Sequence, residues 1–77
     1  MEPIRVKSKL IEWVHHDHEA ELLTVKIRDS DVYEYYGVSD VMFHEFMAAE
    51  KLGAFFNQII RPTYGFRKIE NPVVRTI

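Results

Sequence analysis

Val32-Tyr33-Glu34-Tyr35-Tyr36-Gly37-Val38-Ser39 is the stretch whose reading decides the fold. Successive side chains of a strand alternate, so Tyr33 and Tyr35 share one face while Val32, Glu34 and Tyr36 take the other. Aromatic and β-branched residues suit a pleated surface, which makes strand the reading. Gly37 then loosens the backbone, and the Ser39 hydroxyl can accept from the free amides of a first helical turn. Val38 and Phe43 stand at the spacing of a hydrophobic staple around that cap. The pattern therefore predicts a strand that ends, and a helix that begins, within three residues.

Working outward toward the N-terminus, residues 10–16 alternate as a first strand, with Ile11 and Trp13 on one side and Leu10, Glu12 and Val14 on the other. Asp17-His18-Glu19-Ala20 has hairpin length. Residues 21–28 then set Leu23, Val25 and Ile27 against Leu22, Thr24, Lys26 and Arg28, the clearest half-buried strand of the chain. Asp29-Ser30-Asp31 is a turn by its chemistry, because short oxygen-bearing side chains bond their own backbone. Three strands joined by two short turns predict an antiparallel meander.

That meander needs a cover on one face. Phe43, Phe46 and Met47 recur at helical spacing after Ser39, and Leu52, Phe55, Phe56, Ile59 and Ile60 do so again. The two stripes are out of phase, and Gly53 weakens a helix, so a break is expected between residues 50 and 53. Arg61-Pro62 is expected to end the second helix, because the residue before proline is pushed out of helical geometry. Tyr64-Gly65-Phe66 and Asn71-Pro72 read as turns, and Val73, Val74 and Ile77 as either a short added strand or a frayed tail. The fold class is thus α+β: a three-stranded antiparallel β-meander followed by two helices packed on one face. Residues 1–9 read as a lead-in, 10–66 as the domain and 67–77 as a C-terminal tail.

Seventy-seven residues make one domain with one core, near the size where a core alone only just supports folding. At 47% hydrophobic and 13% aromatic the chain is too apolar for disorder. It has no cysteine, which removes disulfides and thiolate chemistry. No apolar run has the length of a signal peptide or membrane span, so the cytoplasm is the expected compartment and no membrane is expected among the partners. The net charge of −2 conceals a segregation. Residues 12–50 carry ten acidic side chains against Lys26 and Arg28, a sum of −8, while residues 1–11 sum to +2 and residues 51–77 to +4. A basic patch forms if the two ends meet, and a solvated mixed-charge surface results if they do not.

With its elements placed, the chain resembles the KTSC domain family, a short module named after a lysyl-tRNA synthetase C-terminal region and also found as a free-standing small bacterial or phage protein. The resemblance covers about residues 6–67. It runs through Ser8, Ile11, Val14, Asp17, Leu23, Val25, Ile27, Tyr33-Glu34-Tyr35, Val38, Gly53, Phe55-Phe56-Asn57, Ile60-Arg61 and Tyr64. The departures are His16 where an aromatic is usual, Lys9 where a second serine is common, Ser39 where proline often starts the helix, and Glu50-Lys51 where a serine usually precedes the glycine. The resemblance implies the fold above and, through the synthetase context, an association with nucleic acid, RNA first.

Six residues are the candidate nucleic-acid contacts: Tyr33, Tyr35, Asn57, Arg61, Arg67 and Lys68. Tyr33 and Tyr35 on one strand face either stack bases or pack under the helices. Asn57 and Arg61 lie four apart on one helix face, with Tyr64, Phe66, Arg67 and Lys68 following, so a guanidinium that pairs with phosphate stands beside rings that stack. The same residues also fit a plain helix C-terminus that favours cations. His15-His16-Asp17-His18 holds three imidazoles, but adjacent strand residues diverge and only His16 and His18 converge, so His16 is expected as a packed ring and no metal or other cofactor is expected. Ser8, Ser30 and Ser39 lack a nucleophile elbow and no glycine-rich phosphate loop exists, so the chain is expected to be no enzyme. A small binding module for RNA or another single-stranded nucleic acid is the first reading. A protein-protein interaction module, or a homodimer through an uncovered sheet face or the edge strand, is the second.

Overall fold

The computed structural model describes residues 2–69. The three expected strands, Ile11–Asp17, Leu22–Ile27 and Val32–Tyr36, are the centre of a five-stranded antiparallel sheet, not the whole of it. A two-residue strand, Ile4–Arg5, pairs with Val14 and Trp13 at one edge, and Phe66–Ile69 pairs with Tyr35 through Val32 at the other. In chain order these are β1 to β5, and their spatial order is the same. The expectation of three strands is corrected to five for a physical reason. Ile4–Arg5 is too short to show alternation, and Phe66–Ile69 exposes three of its four residues, so neither carries a buried period-two signal. The reading of Val73, Val74 and Ile77 lies outside the described residues.

A second correction concerns β2. Its register with β3 shifts between Ile11 and Trp13, a bulge that turns Ile11 to the same face as Val14. Both are fully buried, whereas Trp13 faces the other way and is only half-buried. Local chemistry closes the turns as the sequence suggests. Asp17 Oδ1 accepts from the amides of Glu19 and Ala20, and Asp29 takes a left-handed φ of 60°. Gly37, at φ 79°, is the point where β4 leaves the sheet.

Helix α1, Asp40–Ala48, starts from Ser39, whose Oγ accepts from the Met42 amide at 3.2 Å. After extended backbone at Ala49, α2 (Leu52–Phe55) runs directly into a π-helical segment, Phe56–Ile60, and then α3 (Arg61–Thr63). The break falls where expected, but Pro62 does not end the helix, which continues to Thr63. Proline at this position has no amide to donate and would press on the carbonyl four residues back. The wider π turn, with Arg61 N–H bonded to the Phe56 carbonyl, relieves that conflict. It also changes which apolar residues face inward: Leu52, Phe56 and Ile60 are buried, while Ile59, expected in the stripe, is 37% exposed. A π turn takes more than 3.6 residues, so Ile60 stays beneath Phe56 while Ile59 is rotated outward.

Both helical stretches cover one sheet face. Phe46 of α1 and Phe56 meet Ile11, Val14, Leu23, Val25 and Tyr35 in a single core. Gly53 lies within this contact for want of a side chain, since a Cβ there would stand 3.3 Å from Leu10 Cβ and 3.4 Å from Ser8 Oγ. Ser8 in turn holds the entry to β2, its Oγ accepting from the amides of Leu10 and Ile11. Among the described residues no helix is long and apolar enough to cross a membrane.

Phe46 is fully buried, and Val41 on the same helix is 67% exposed. Phe46→Ala should therefore cost about 3–5 kcal/mol, a large share of the stability of so small a domain, and Val41→Ala no more than about 0.5 kcal/mol. Urea unfolding midpoints of the two variants check this, and similar midpoints would contradict the assigned core.

Candidate functional site

The covered face of the sheet is wider than the helices that lie on it. On the side of β4 and β5 this leaves a pocket of about 280 Å³ lined by Ile27, Ser30, Tyr33, Tyr35, Phe56, Arg61 and Phe66. Strand alternation sets Tyr33 and Tyr35 toward it from β4, and the pairing of Phe66 with Tyr35 brings a third ring beside them. Tyr33 and Phe66 lie 5.9 Å apart between ring centroids, tilted by 58°. Phe56 closes the helix side, and Arg61, five residues on, carries its guanidinium 5.6 Å from the centre of the Phe56 ring. Asn57 Oδ1 accepts from Arg61 Nη1 at 2.9 Å, which orients the guanidinium without neutralising it. The arrangement is a set of apolar walls with one cation at the rim, suited to a planar group bearing a negative charge.

Of the six residues singled out in the sequence, four gather here in different roles. Tyr33 is half-buried and lines the pocket, Arg61 is exposed at its rim, and Asn57 holds Arg61 from outside the lining. Tyr35 lines the pocket but is only 3% exposed, with Phe56 edge-on at 5.5 Å and Phe66 at 5.5 Å. Packed against both rings and almost fully buried, it serves as floor and core and not as a stacking platform. Arg67 does not join them. It stands opposite Glu34 on the uncovered face of the sheet and pairs with that carboxylate at 3.2 Å. Lys68, paired with Tyr33 in register, lies on the covered side, and its ammonium is 3.2 Å from Asp31. Ile27, Ser30 and Phe56 were not foreseen as lining, and Phe66 was foreseen only as a ring near Arg61. The signal for Phe66 was the alternation of Phe66 and Lys68 against Arg67 and Ile69, too short to be read as a strand.

The basic ends of the chain meet in part. β1 and β5 are opposite edges of the sheet, so Arg5 is separated from Arg67 and Lys68 by the three strands between. Lys7 and Lys9, however, line a second, open groove together with Lys51 and Glu50. On the uncovered face Arg5 and Lys26 share Glu12, and Arg67 pairs with Glu34. Acidic residues collect at the opposite end of the strands, where Asp17, Glu19 and Glu21 stand near the start of α1. There Asp40 lies 3.7 Å from His16 Nδ1 and 3.8 Å from His18 Nδ1. His16 is a packed ring, stacked on Phe43 at 4.5 Å and donating from Nε2 to the Val38 carbonyl at 2.7 Å.

Fold and pocket together define a small α+β module with a concave aromatic site. The KTSC domain family model matches residues 7–64. A protein of Tsukamurella paurometabola is 33% identical over 59 residues, which is 77% of this chain and 88% of that one. The crystal structure of a KTSC domain protein from Yersinia pestis superposes with a TM-score of 0.86 at 29% identity, covering 90% of this chain and 97% of its own. The chain belongs to the KTSC domain family.

Burial raises the Tyr35 phenol pKa above its ordinary 10.0, the Arg61 guanidinium opposes the rise, and Tyr33 adds to it. The protonated phenol is the neutral form, so the folded protein keeps this proton to higher pH than the unfolded chain does. Its stabilising effect is complete below the unfolded value near 10 and is lost as pH climbs through the folded value above it. Thermal unfolding from about pH 8 to about pH 11 should show the parent protein losing stability faster than Tyr35→Phe above about pH 10. A difference between the two that stays constant with pH would contradict the burial of this phenol.

Proposed function

We propose that this protein is a non-enzymatic, cytoplasmic binding module for single-stranded nucleic acid, with RNA the foremost ligand. In this reading the pocket accepts a base against Tyr33 and Phe66 while Arg61 pairs with its phosphate. The observation that carries it is the convergence of those three side chains, from β4, β5 and the helix, on one pocket. Aromatic stacking tolerates any base, and an oriented guanidinium suits a phosphate. Neither histidine nor carboxylate lines the pocket, a composition that favours binding over proton transfer. The alternative reading, a protein partner or a second copy of the chain, draws on the uncovered sheet face, where Trp13, Leu22 and Val32 are half-buried and Tyr36 is 45% exposed.

The test is a fluorescence-anisotropy titration of labelled single-stranded RNA at several salt concentrations. Arg61→Ala should weaken binding and lower the salt slope by about 0.7, the value of one phosphate contact on a single strand. Tyr33→Ala should lose about 1–3 kcal/mol of binding, and Arg67→Ala, on the other face, should change little. Loss in Arg67→Ala with none in Arg61→Ala would move the site to the open face. A light-scattering mass of one chain at high concentration would count against the second copy.

A further inference from the structure

The pocket has a neighbour. Leu52 lines the groove that holds Lys7, Lys9 and Lys51, and Phe56, one helical turn further, lines the pocket. Residues four apart on a helix have Cβ atoms about 6 Å apart on one side. On the sheet the same adjacency recurs, for Leu10 lines the groove and its carbonyl accepts the amide of Arg28, the residue after pocket-lining Ile27. Groove and pocket are thus two depressions on either side of one ridge. Arg28 is held beside the groove, donating from Nη2 to the carbonyls of Ser8, which lines it, and of Ile11 at 3.1 and 3.2 Å. Its charge remains there, since a carbonyl does not neutralise a guanidinium.

We propose that the lysine groove is the second half of the nucleic-acid site, taking the phosphates that follow the nucleotide held in the pocket. The proposal rests on the nucleic-acid reading and extends it from one nucleotide to a short strand. Lys7, Lys9 and Lys51 are exposed, and among the described residues no carboxylate pairs with any of the three. Glu50 lines the same groove and leaves it net positive. Three mobile ammonium groups without a ring among them give phosphate attraction without base selection, whereas the pocket offers rings and one cation. The two halves therefore divide the work: the pocket holds one base, and the groove holds backbone.

Labelled oligouridylates of one, two, four and eight nucleotides test this by anisotropy, with Lys9→Gln/Lys51→Gln as the variant and circular dichroism to verify its fold. Affinity should rise with length and level off at about four nucleotides, the lower end of the range for one OB-fold domain. The variant should lower the salt slope on the tetranucleotide by about 1.4, two phosphate contacts' worth, and leave mononucleotide binding unchanged. An unchanged tetranucleotide slope in the variant, with Arg61→Ala still weakening binding, overturns the groove and leaves the pocket standing. No binding by the parent protein at any length, even at low salt, overturns both.

Discussion

Phe56 is the contact on which the rest of this small structure depends. Its ring meets Tyr35 of the sheet edge-on at 5.5 Å and Phe46 of α1 at 6.4 Å, while Arg61 lies over it at 5.6 Å. One side chain thus joins helix to sheet and helix to helix, and it forms the inner wall of the pocket. Aromatic rings suit this position because they bring a large apolar area and prefer tilted or edge-on neighbours, which fixes their angles as well as their distances. The π-helical segment that begins at Phe56 belongs to the same constraint. Without it Ile59 would turn toward the core beside Ile60, and Pro62 would press on the turn before it.

The legible part of the fold was the part written in alternation. In β3 and β4 the residues that face the helices, Leu23 and Val25 against Tyr35 and Tyr33, fall at every second position, so their faces follow from the sequence alone. α1 was equally readable, from the Ser39 cap and the Phe43, Phe46, Met47 spacing. What escaped was whatever breaks a period. The bulge after Ile11 reverses the parity of β2 within one residue, and the π turn shifts the phase of the second helix by one position. The edge strands are short and exposed, so they carry no buried residue at every second position to betray them.

Legibility of the candidate site followed the same division. Asn57 and Arg61 were paired by helical spacing, and the structure joins them by a hydrogen bond. Tyr33 and Tyr35 were placed on one face correctly, yet alternation says only that two residues share a face, not how deeply each is covered. Phe66 decides that, and Phe66 lies on a strand the sequence did not disclose. The same omission misplaced Arg67. On β5, Arg67 and Lys68 are neighbours in a strand and must point to opposite faces, so they cannot act on one ligand from one surface.

A chain of this length has too few residues to keep a core and a binding site apart. Tyr35 and Phe56 belong to both, while Tyr33, Phe66 and Arg61 line the pocket without being part of the fully buried set. The first pair can change only at the cost of folding, so variation in what the pocket accepts must come from the second group. By linkage the reverse also holds, since any ligand seated against Phe56 in the folded form alone would stabilise the whole domain, and the more so the further its concentration exceeds its Kd. In a molecule with a small margin of stability, whatever fills this pocket would act on the fold as a whole.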